Sequence, residues 1–138
     1  MKQKDKELLI KDLCARLPYK VKIKFVFNKD IEKINNLIYV SDNEQSYIHN
    51  SCMVLTEDNI KYVFNDWLDE YKPYLRPMSS MTEEEVAEFE SITEELLEHG
   101  ASEEIWDTVI DWLNAHHFDH RHLIEKGLAI EAPEGMYN

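Results

Sequence analysis

Four of the six histidines of this chain lie within seven positions, in the run His116-His117-Phe118-Asp119-His120-Arg121-His122. His116 and His120 are four residues apart, a spacing that places two zinc ligands on one face of a helix. The run also reads H-x-x-D-H, one methylene shorter than the inverted zinc motif H-x-x-E-H. His116, His120 and His122 are therefore candidate metal ligands of a metal-dependent enzyme. If Asp119 instead begins a new helix, the break separates His116 from His120, and the histidines are surface or capping residues.

A second set of chemically distinctive residues is acidic. Residues 83–98 contain eight glutamates and no Lys or Arg. Like charges four residues apart destabilise a helix slightly. Such a helix is either a solvated face held by its apolar stripe or a surface that attracts a positively charged partner. The candidate partner-binding residues are Glu84, Glu88, Glu95, Glu103, Glu104, Asp107 and Asp111.

A third set is basic and follows an alternating pattern. Lys20, Lys22 and Lys24 occupy every second position of an expected strand, so they share one face. With tyrosines nearby in the sequence, this face could form a small platform for nucleic acid. The alternatives are a solvated face and pairing with the acids of the chain itself.

Motifs for nucleophilic or phosphate chemistry are missing from the sequence. There is no GxSxG, and the three glycines are too scattered for a phosphate-cradling loop. Cys14 and Cys52 have no CxxC spacing, which fits a reducing compartment, and we expect both to be small buried apolar residues. We predict no catalytic residue and no cofactor, so an enzyme is the minority interpretation.

The charge of the chain is unevenly distributed. Residues 1–72 carry 12 basic and 12 acidic side chains, whereas residues 73–138 carry 3 basic and 16 acidic ones, which accounts for the net charge of −13. The acidic half would repel phosphates, which argues against a nucleic acid or an anionic membrane as its partner. The expected partner is a basic protein surface. The charged first six residues are followed by no apolar run of signal-peptide or membrane length, so we expect a cytoplasmic protein.

The elements that must position these residues indicate an α+β fold. Residues 10, 13, 14 and 17 form an apolar helical stripe that ends at Pro18, and the pattern then alternates with period two. We predict an N-terminal helix at 5–17, strands at about 19–27, 37–41, 45–50 and 52–55, and helices at 57–71, 83–99, 103–116 and 119–126. Residues 31–36 fit a helical turn as well as a strand.

Local signals define the ends of the predicted helices. Thr82 and Glu85 have the spacing of a capping box, and Ser102 is the expected N-cap of the next helix. Gly100 and Gly127 occupy the positions where left-handed residues end helices. Leu128 should contact Leu123 across the second of these ends.

We expect one domain, 1–138, assembled from segments of different character. These are a charge-neutral helix–sheet unit at 1–72, a Pro-rich joint at 73–81, an acidic helical unit at 82–131 and a flexible tail at 132–138.

Three stretches carry a resemblance to known sequences. They are KPYLRPMSSMTEEE at 72–85, the pattern DWLN..HFD...LIEKGLA at 111–129, and DLCARLPY at 12–19. Together they resemble a group of short uncharacterised proteins of gut anaerobic bacteria and their phages and mobile elements. The resemblance implies an accessory protein of mobile DNA and carries no activity, ligand or catalytic residue. In that group positions 120 and 122 are usually Tyr and Gly, which argues against a role for His120 or His122.

The first hypothesis is therefore a non-enzymatic acidic accessory protein. It would bind a basic protein surface, as an inhibitor of a host system or as a mimic of nucleic acid. The alternatives are a metal-dependent enzyme using His116–His122 and a nucleic-acid-binding module using the lysine face.

Overall fold

A computed structural model of the chain describes residues 3–27, 31–42, 52–56, 71–100 and 102–137. Within these ranges it combines three α-helices with one five-stranded sheet. The helices are α1 (Gln3–Arg16), α2 (Glu83–His99) and α3 (Glu103–Ala115). The predicted α+β class is confirmed, although five helices were predicted. None of the helices in the described ranges is both long enough and apolar enough to cross a membrane.

The sheet brings together strands that are far apart in the sequence. Its strands are β1 (Lys22–Phe27), β2 (Ile31–Asp42), β3 (Cys52–Thr56), β4 (Tyr71–Leu75) and β5 (Ile130–Glu131), in the order β3-β2-β1-β4-β5. The first four strands pair antiparallel, and β5 pairs parallel to β4. The C-terminal segment therefore provides one edge strand of the sheet.

The structure confirms some predicted strands and corrects one helix. The strand predicted at 37–41 lies inside β2, which begins at residue 31, and the one predicted at 52–55 is β3. The strand predicted at 45–50 and most of the helix predicted at 57–71 lie outside the described residues. Tyr71, the expected last residue of that helix, instead opens β4, where it pairs with Phe25. Pro73 follows two residues later and is incompatible with a continuing helix.

Helix α1 packs the predicted apolar stripe against the core, except for Cys14. The fully buried positions of the helix are Leu9, Asp12, Leu13 and Arg16, each 0% exposed. Cys14, expected to be buried, is exposed. The predicted stripe did not include Asp12 and Arg16, which form a buried pair of opposite charges.

The helix caps follow the sequence. Thr82 Oγ1 accepts a hydrogen bond from the Glu85 backbone N–H at 3.2 Å, and the Thr82 N–H donates to Glu85 Oε1 at 3.0 Å. Ser102 Oγ accepts from the Ile105 N–H at 3.3 Å. The predicted bounds of α2 are confirmed, and α3 ends one residue earlier than predicted.

The helix predicted at 119–126 is wrong, because the segment forms consecutive turns. The Asp119 carboxylate accepts hydrogen bonds from the backbone N–H groups of Leu123 and Ile124, at 2.8 and 3.0 Å. It thereby replaces the main-chain acceptors that an α-helix would use. His122 has φ +59°, a left-handed conformation that interrupts a helix.

The predicted end of this segment is nevertheless present. Gly127 has φ +74°, its N–H donates to Ile124 O at 3.1 Å, and the Leu128 N–H donates to Leu123 O at 2.9 Å. These are the two hydrogen bonds of a Schellman motif. Leu123 and Leu128 are both buried in the same cluster. The sequence therefore predicted the turn at Gly127 correctly, although the helix expected before it does not form.

Two apolar clusters form the described core. The larger joins α1, β1, β4 and the C-terminal segment through Leu9, Leu13, Val21, Ile23, Leu75, Leu123, Leu128 and Ala129. The smaller contains Val109 and Leu113 of α3 together with Phe118. Residues from both ends of the chain therefore share one core.

The C-terminal residues are anchored by Tyr137. Its hydroxyl donates to Tyr74 O at 2.6 Å and accepts from the Lys22 N–H at 2.9 Å, so it bridges β4 and the start of β1. Burial raises the pKa of Tyr137 to about 12. This anchored position differs from the flexible tail predicted at 132–138.

Candidate functional site

Helices α2 and α3 pack against each other and carry most of the acidic side chains of the C-terminal half. Residues 83–115 contain twelve acids and no Lys or Arg. Ten of these acids are exposed: Glu83, Glu84, Glu88, Glu90, Glu94, Glu98, Glu103, Glu104, Asp107 and Asp111. We call this set the acidic surface. It concentrates charge of one sign on two adjacent helices.

The candidate partner-binding residues occupy different environments on this surface. Glu84, Glu103, Glu104 and Asp107 are exposed. Glu95 belongs to α2, and its side chain lies outside the part of the chain that the structure describes.

Two further candidates are held by aromatic side chains. Glu88 Oε2 accepts a hydrogen bond from Trp112 Nε1 at 3.2 Å. Asp111 accepts from the Tyr19 hydroxyl, and this hydrogen bond raises the pKa of Tyr19. Glu88 and Asp111 therefore help to hold the fold as well as contributing negative charge.

Glu85 is half-buried and pairs with an arginine. Arg76, which follows β4, donates from Nη2 to Glu85 Oε1 at 2.6 Å and from Nη1 to Oε2 at 2.8 Å. This bidentate pair lowers the pKa of Glu85 to about 2. Glu85 is thus the acid of α2 that ties the helix to the sheet.

An aromatic row lies beneath the acidic surface and joins it to the histidine segment. The Trp112 ring lies 5.6 Å from Phe89 and stacks on His116 and Phe118, at 4.1 and 5.8 Å between centroids. The Arg76 guanidinium carbon lies 4.2 Å from the centroid of the Phe118 ring and covers that ring. Contacts of this kind add stability beyond that of area burial.

The histidines do not share a helix face. Helix α3 ends at Ala115, and His116 is its C-terminal cap. The helix therefore breaks between His116 and His120, as expected if the histidines are surface or capping residues. His116 Nδ1 donates to Trp112 O at 2.8 Å, and His120 Nε2 donates to Asn114 Oδ1 at 2.9 Å. His122 is exposed. Among the residues described, no group of three His, Cys, Asp or Glu side chains is close enough to hold a metal ion.

Two of the histidines are half-buried and have lowered pKa values. Burial, followed by the nearby charge of Arg16 and Arg76, lowers the pKa of His117 to about 4. Burial and the charge of Arg121 lower the pKa of His120 to about 4. His117 has φ +63° and stacks on Tyr137 at 3.7 Å between ring centroids. These side chains act as packing groups at neutral pH.

A buried ion-pair network was missed by the sequence analysis. Asp12 Oδ2 accepts from Arg16 Nε and Oδ1 from Arg121 Nη1, each at 2.7 Å, and both Asp12 and Arg16 are fully buried. Arg16 Nη2 also donates to Phe118 O at 2.6 Å. The available signal was the i, i+4 spacing of opposite charges within a helix. The network joins α1 to the C-terminal segment.

The three stretches quoted above for their resemblance meet at one point of the fold. Arg16, from residues 12–19, binds Phe118 O. Arg76, from residues 72–85, covers the Phe118 ring, its N–H donates to His117 O at 2.7 Å, and its carbonyl accepts from the Asp119 N–H at 2.8 Å. Phe118, from residues 111–129, is 0% exposed. These residues build the junction of the fold.

The candidate lysines do not form one continuous exposed ladder. Lys20 lies before β1 with φ +54° and is exposed. Lys22 and Lys24 belong to β1 and are half-buried, and Lys24 pairs across the strands with Lys72.

A cavity of about 420 Å³ lies between the turn after β4 and the C-terminal residues. Its walls include Arg76, which is already paired with Glu85, and Tyr137, whose hydroxyl bridges two strands. Both of these polar side chains therefore already have structural partners.

Comparison of the chain with known proteins finds no matching protein-family model, no matching curated protein and no matching solved structure.

Proposed function

We propose that the protein is a small acidic accessory protein that binds a basic protein surface through the acidic surface of α2 and α3. The form we favour is an inhibitor that occupies the nucleic-acid-binding face of a host protein as a charge mimic of nucleic acid. Cytoplasmic location and a mobile-element origin belong to the same proposal. The observation that supports it is the row of ten exposed acids on two packed helices that contain no Lys or Arg.

Helix stability accounts for only part of this charge distribution, because first-turn acids such as Glu84 and Glu103 suit the helix dipole but the acids further along α2 do not lie there. Repulsion between like charges at i, i+4, such as Glu84 with Glu88, slightly destabilises α2. Acids near the C-terminal end of a helix, such as Glu98, also interact unfavourably with the helix dipole. A field of one sign does, however, accelerate association with an oppositely charged surface and repel nucleic acid.

A competition experiment tests the proposal. Several basic DNA-binding domains from the host are each loaded with a fluorescent DNA duplex. Each complex is then titrated with the protein. We expect displacement of the duplex from at least one domain at low salt. A protein that binds these domains elsewhere, and leaves the duplex in place, would contradict the mimicry.

A matched pair of triple variants assigns the effect to the surface. The variant Glu84→Gln/Glu103→Gln/Glu104→Gln removes three charges from the acidic surface. The control Glu125→Gln/Glu131→Gln/Glu134→Gln removes three exposed charges from the C-terminal segment. We expect the first variant to lose about tenfold or more in displacement and the control to change about twofold or less. Equal losses would mean that net charge alone is responsible.

A further inference from the structure

Trp106 breaks the burial pattern of α3. It precedes Val109 by three residues and Leu113 by seven, so all three side chains share one face of the helix. Val109 and Leu113 are each 4% exposed, whereas Trp106 is 50% exposed. The buried face of α3 therefore continues into an aromatic side chain that the described part of the fold leaves half open.

Trp112 shows how the same residue type behaves when the fold uses it. The Trp112 ring contacts Phe89, His116 and Phe118, and its indole N–H donates to Glu88. The described residues give Trp106 neither a ring contact nor a hydrogen bond of this kind. An exposed Trp is a common anchor of protein interfaces, because its large ring buries much area at little entropic cost.

The charges around Trp106 specify a cationic occupant. Glu103, one turn earlier, is exposed, and helical side chains lean toward the N-terminus, so the indole lies over the turn that carries Glu103. A second copy of the chain would bring its own net charge of −13 to this face and would be repelled. Charge complementarity therefore favours a basic partner.

The chain itself contains the arrangement that we expect at this position. Arg76 lies 4.2 Å over the Phe118 ring while its guanidinium forms a bidentate pair with Glu85. An aromatic face beside a carboxylate suits a planar guanidinium better than an ammonium group, because guanidinium stacks and pairs at the same time. Trp106 and Glu103 offer the same two groups to solvent.

We infer that Trp106 and Glu103 form a docking position for an arginine side chain of the basic partner. The inference rests on the proposed function, since it names the anchor of the acidic surface. It makes Trp106 the aromatic centre of the interface and the surrounding acids its charged rim.

Titration of the full-length protein with two synthetic decapeptides, (Gly-Arg)5 and (Gly-Lys)5, tests the inference by NMR at low salt. The indole resonances are assigned from Trp67→Phe and Trp106→Phe, and the remaining one, that of Trp112, is the internal control. We expect the arginine peptide to bind about two- to fivefold more tightly than the lysine peptide. The Trp106 indole resonance should shift, while the Trp112 resonance should move little.

Single variants separate the aromatic and apolar contributions. Trp106→Leu should abolish the preference for arginine over lysine, whereas Trp106→Phe should keep part of it. Glu103→Gln should weaken the preference, and Glu125→Gln, the same change at an exposed position of the C-terminal segment, should not. Circular dichroism and urea denaturation confirm that each variant is folded.

The outcomes distinguish this inference from the proposed function. Binding of both peptides with an arginine preference that survives in Trp106→Leu, or with a stationary Trp106 resonance, overturns the arginine position and leaves the acidic-surface proposal standing. Equal loss of both peptides in Trp106→Leu also overturns it, since the anchor is then merely apolar. No binding of either peptide at low salt overturns both proposals.

Discussion

At the scale of single residues, the Tyr137 hydroxyl and the Asp12 carboxylate have specific partners, whereas Arg16 Nη1 and His117 Nδ1 are buried without a hydrogen-bond partner among the described residues. The Tyr137 hydroxyl donates a hydrogen bond to a carbonyl of β4 and accepts one from an N–H at the start of β1. Asp12 accepts hydrogen bonds from two arginines at opposite ends of the chain. Removal of one partner from such a group leaves the other without its hydrogen bond, which costs more than the net value of the bond itself.

We expect Tyr137→Phe to lower the free energy of unfolding by about 1–3 kcal/mol, because Tyr74 O and the Lys22 N–H both lose their partner. The measurement is urea denaturation at neutral pH. Tyr19→Phe is the matched control: its hydroxyl bonds to Asp111 at an exposed position, so the expected loss is about 0.5 kcal/mol or less. Equal losses would show that the Tyr137 hydroxyl has no special role.

Asp12→Asn should be more damaging than any single change on the acidic surface. It leaves the buried Arg16 guanidinium without its carboxylate, and loss of one member of a buried pair costs about 3–5 kcal/mol. Asp107→Asn, the same change at an exposed position, should cost less than about 0.5 kcal/mol. Thermal and urea denaturation of the two variants decide the matter, and similar stability of the two would contradict the buried network.

At the scale of elements, helix α2 is fixed by its first turn. Glu85 closes the capping box with Thr82 and at the same time forms the bidentate pair with Arg76 after β4. A local signal and a tertiary contact therefore use the same carboxylate. The acidic surface depends on this anchor, because it holds α2 against the sheet.

We expect Glu85→Gln to destabilise the protein by about 1–3 kcal/mol, since it removes the charged pair, whereas Glu84→Gln should be nearly neutral. The pKa of Glu85 is lowered from 4.5 to about 2, so its stabilising effect is complete above pH 4.5 and is lost as the pH falls toward 2. Urea denaturation at pH 7 and pH 3 measures this. A difference between the two variants that persists undiminished at low pH would contradict the ion pair.

Local sequence codes predicted the elements where neighbouring residues decide the structure. The caps at Thr82 and Ser102, the bounds of α2 and the turn at Gly127 follow from side chains within a few positions. The failures have longer-range causes. Tyr71 is a strand residue because β1 pairs with it, and residues 119–126 are turns because the Asp119 side chain takes the backbone donors of Leu123 and Ile124.

The candidate site was predictable only in part. The acidic character of α2 and α3 can be read from composition, and helical periodicity places Trp106 on the apolar stripe. That Trp106 remains half exposed while Trp112 is enclosed depends on what packs around each ring, and periodicity does not contain this information. The spacing of His116 and His120 suggested that they share a helix face, but α3 ends between them.

At the scale of the whole molecule, the junction between α1, β4 and the C-terminal segment makes stability depend on pH. It contains two half-buried histidines, His117 and His120, whose pKa values burial and nearby arginines lower to about 4. Protonation of His117 or His120 would place another positive charge beside Arg16. Protonation of either histidine should therefore weaken this junction.

We expect the free energy of unfolding to fall as the pH decreases from 6.5 to 4. The unfolded chain takes up the protons of His117 and His120 near pH 6.5, whereas the folded chain resists until about pH 4, so the stabilisation is complete above pH 6.5. The partial exposure of both side chains screens the effect, so the expected loss at pH 5 is about 1 kcal/mol for each histidine. Urea denaturation at pH 7.5 and pH 5 tests this prediction. His120→Asn should reduce the loss, and His122→Asn, at an exposed position, should not.

The central claim is that the acidic surface binds a basic partner electrostatically, and the salt dependence of that binding tests it most directly. The dissociation constant for the basic domain found by competition is measured from about 50 mM to about 500 mM salt, for the wild type and both triple variants. We predict that affinity falls steeply with salt for the wild type and for Glu125→Gln/Glu131→Gln/Glu134→Gln. For Glu84→Gln/Glu103→Gln/Glu104→Gln the dependence should be clearly shallower. Affinity that barely changes with salt, or equal slopes for all three proteins, would contradict the claim.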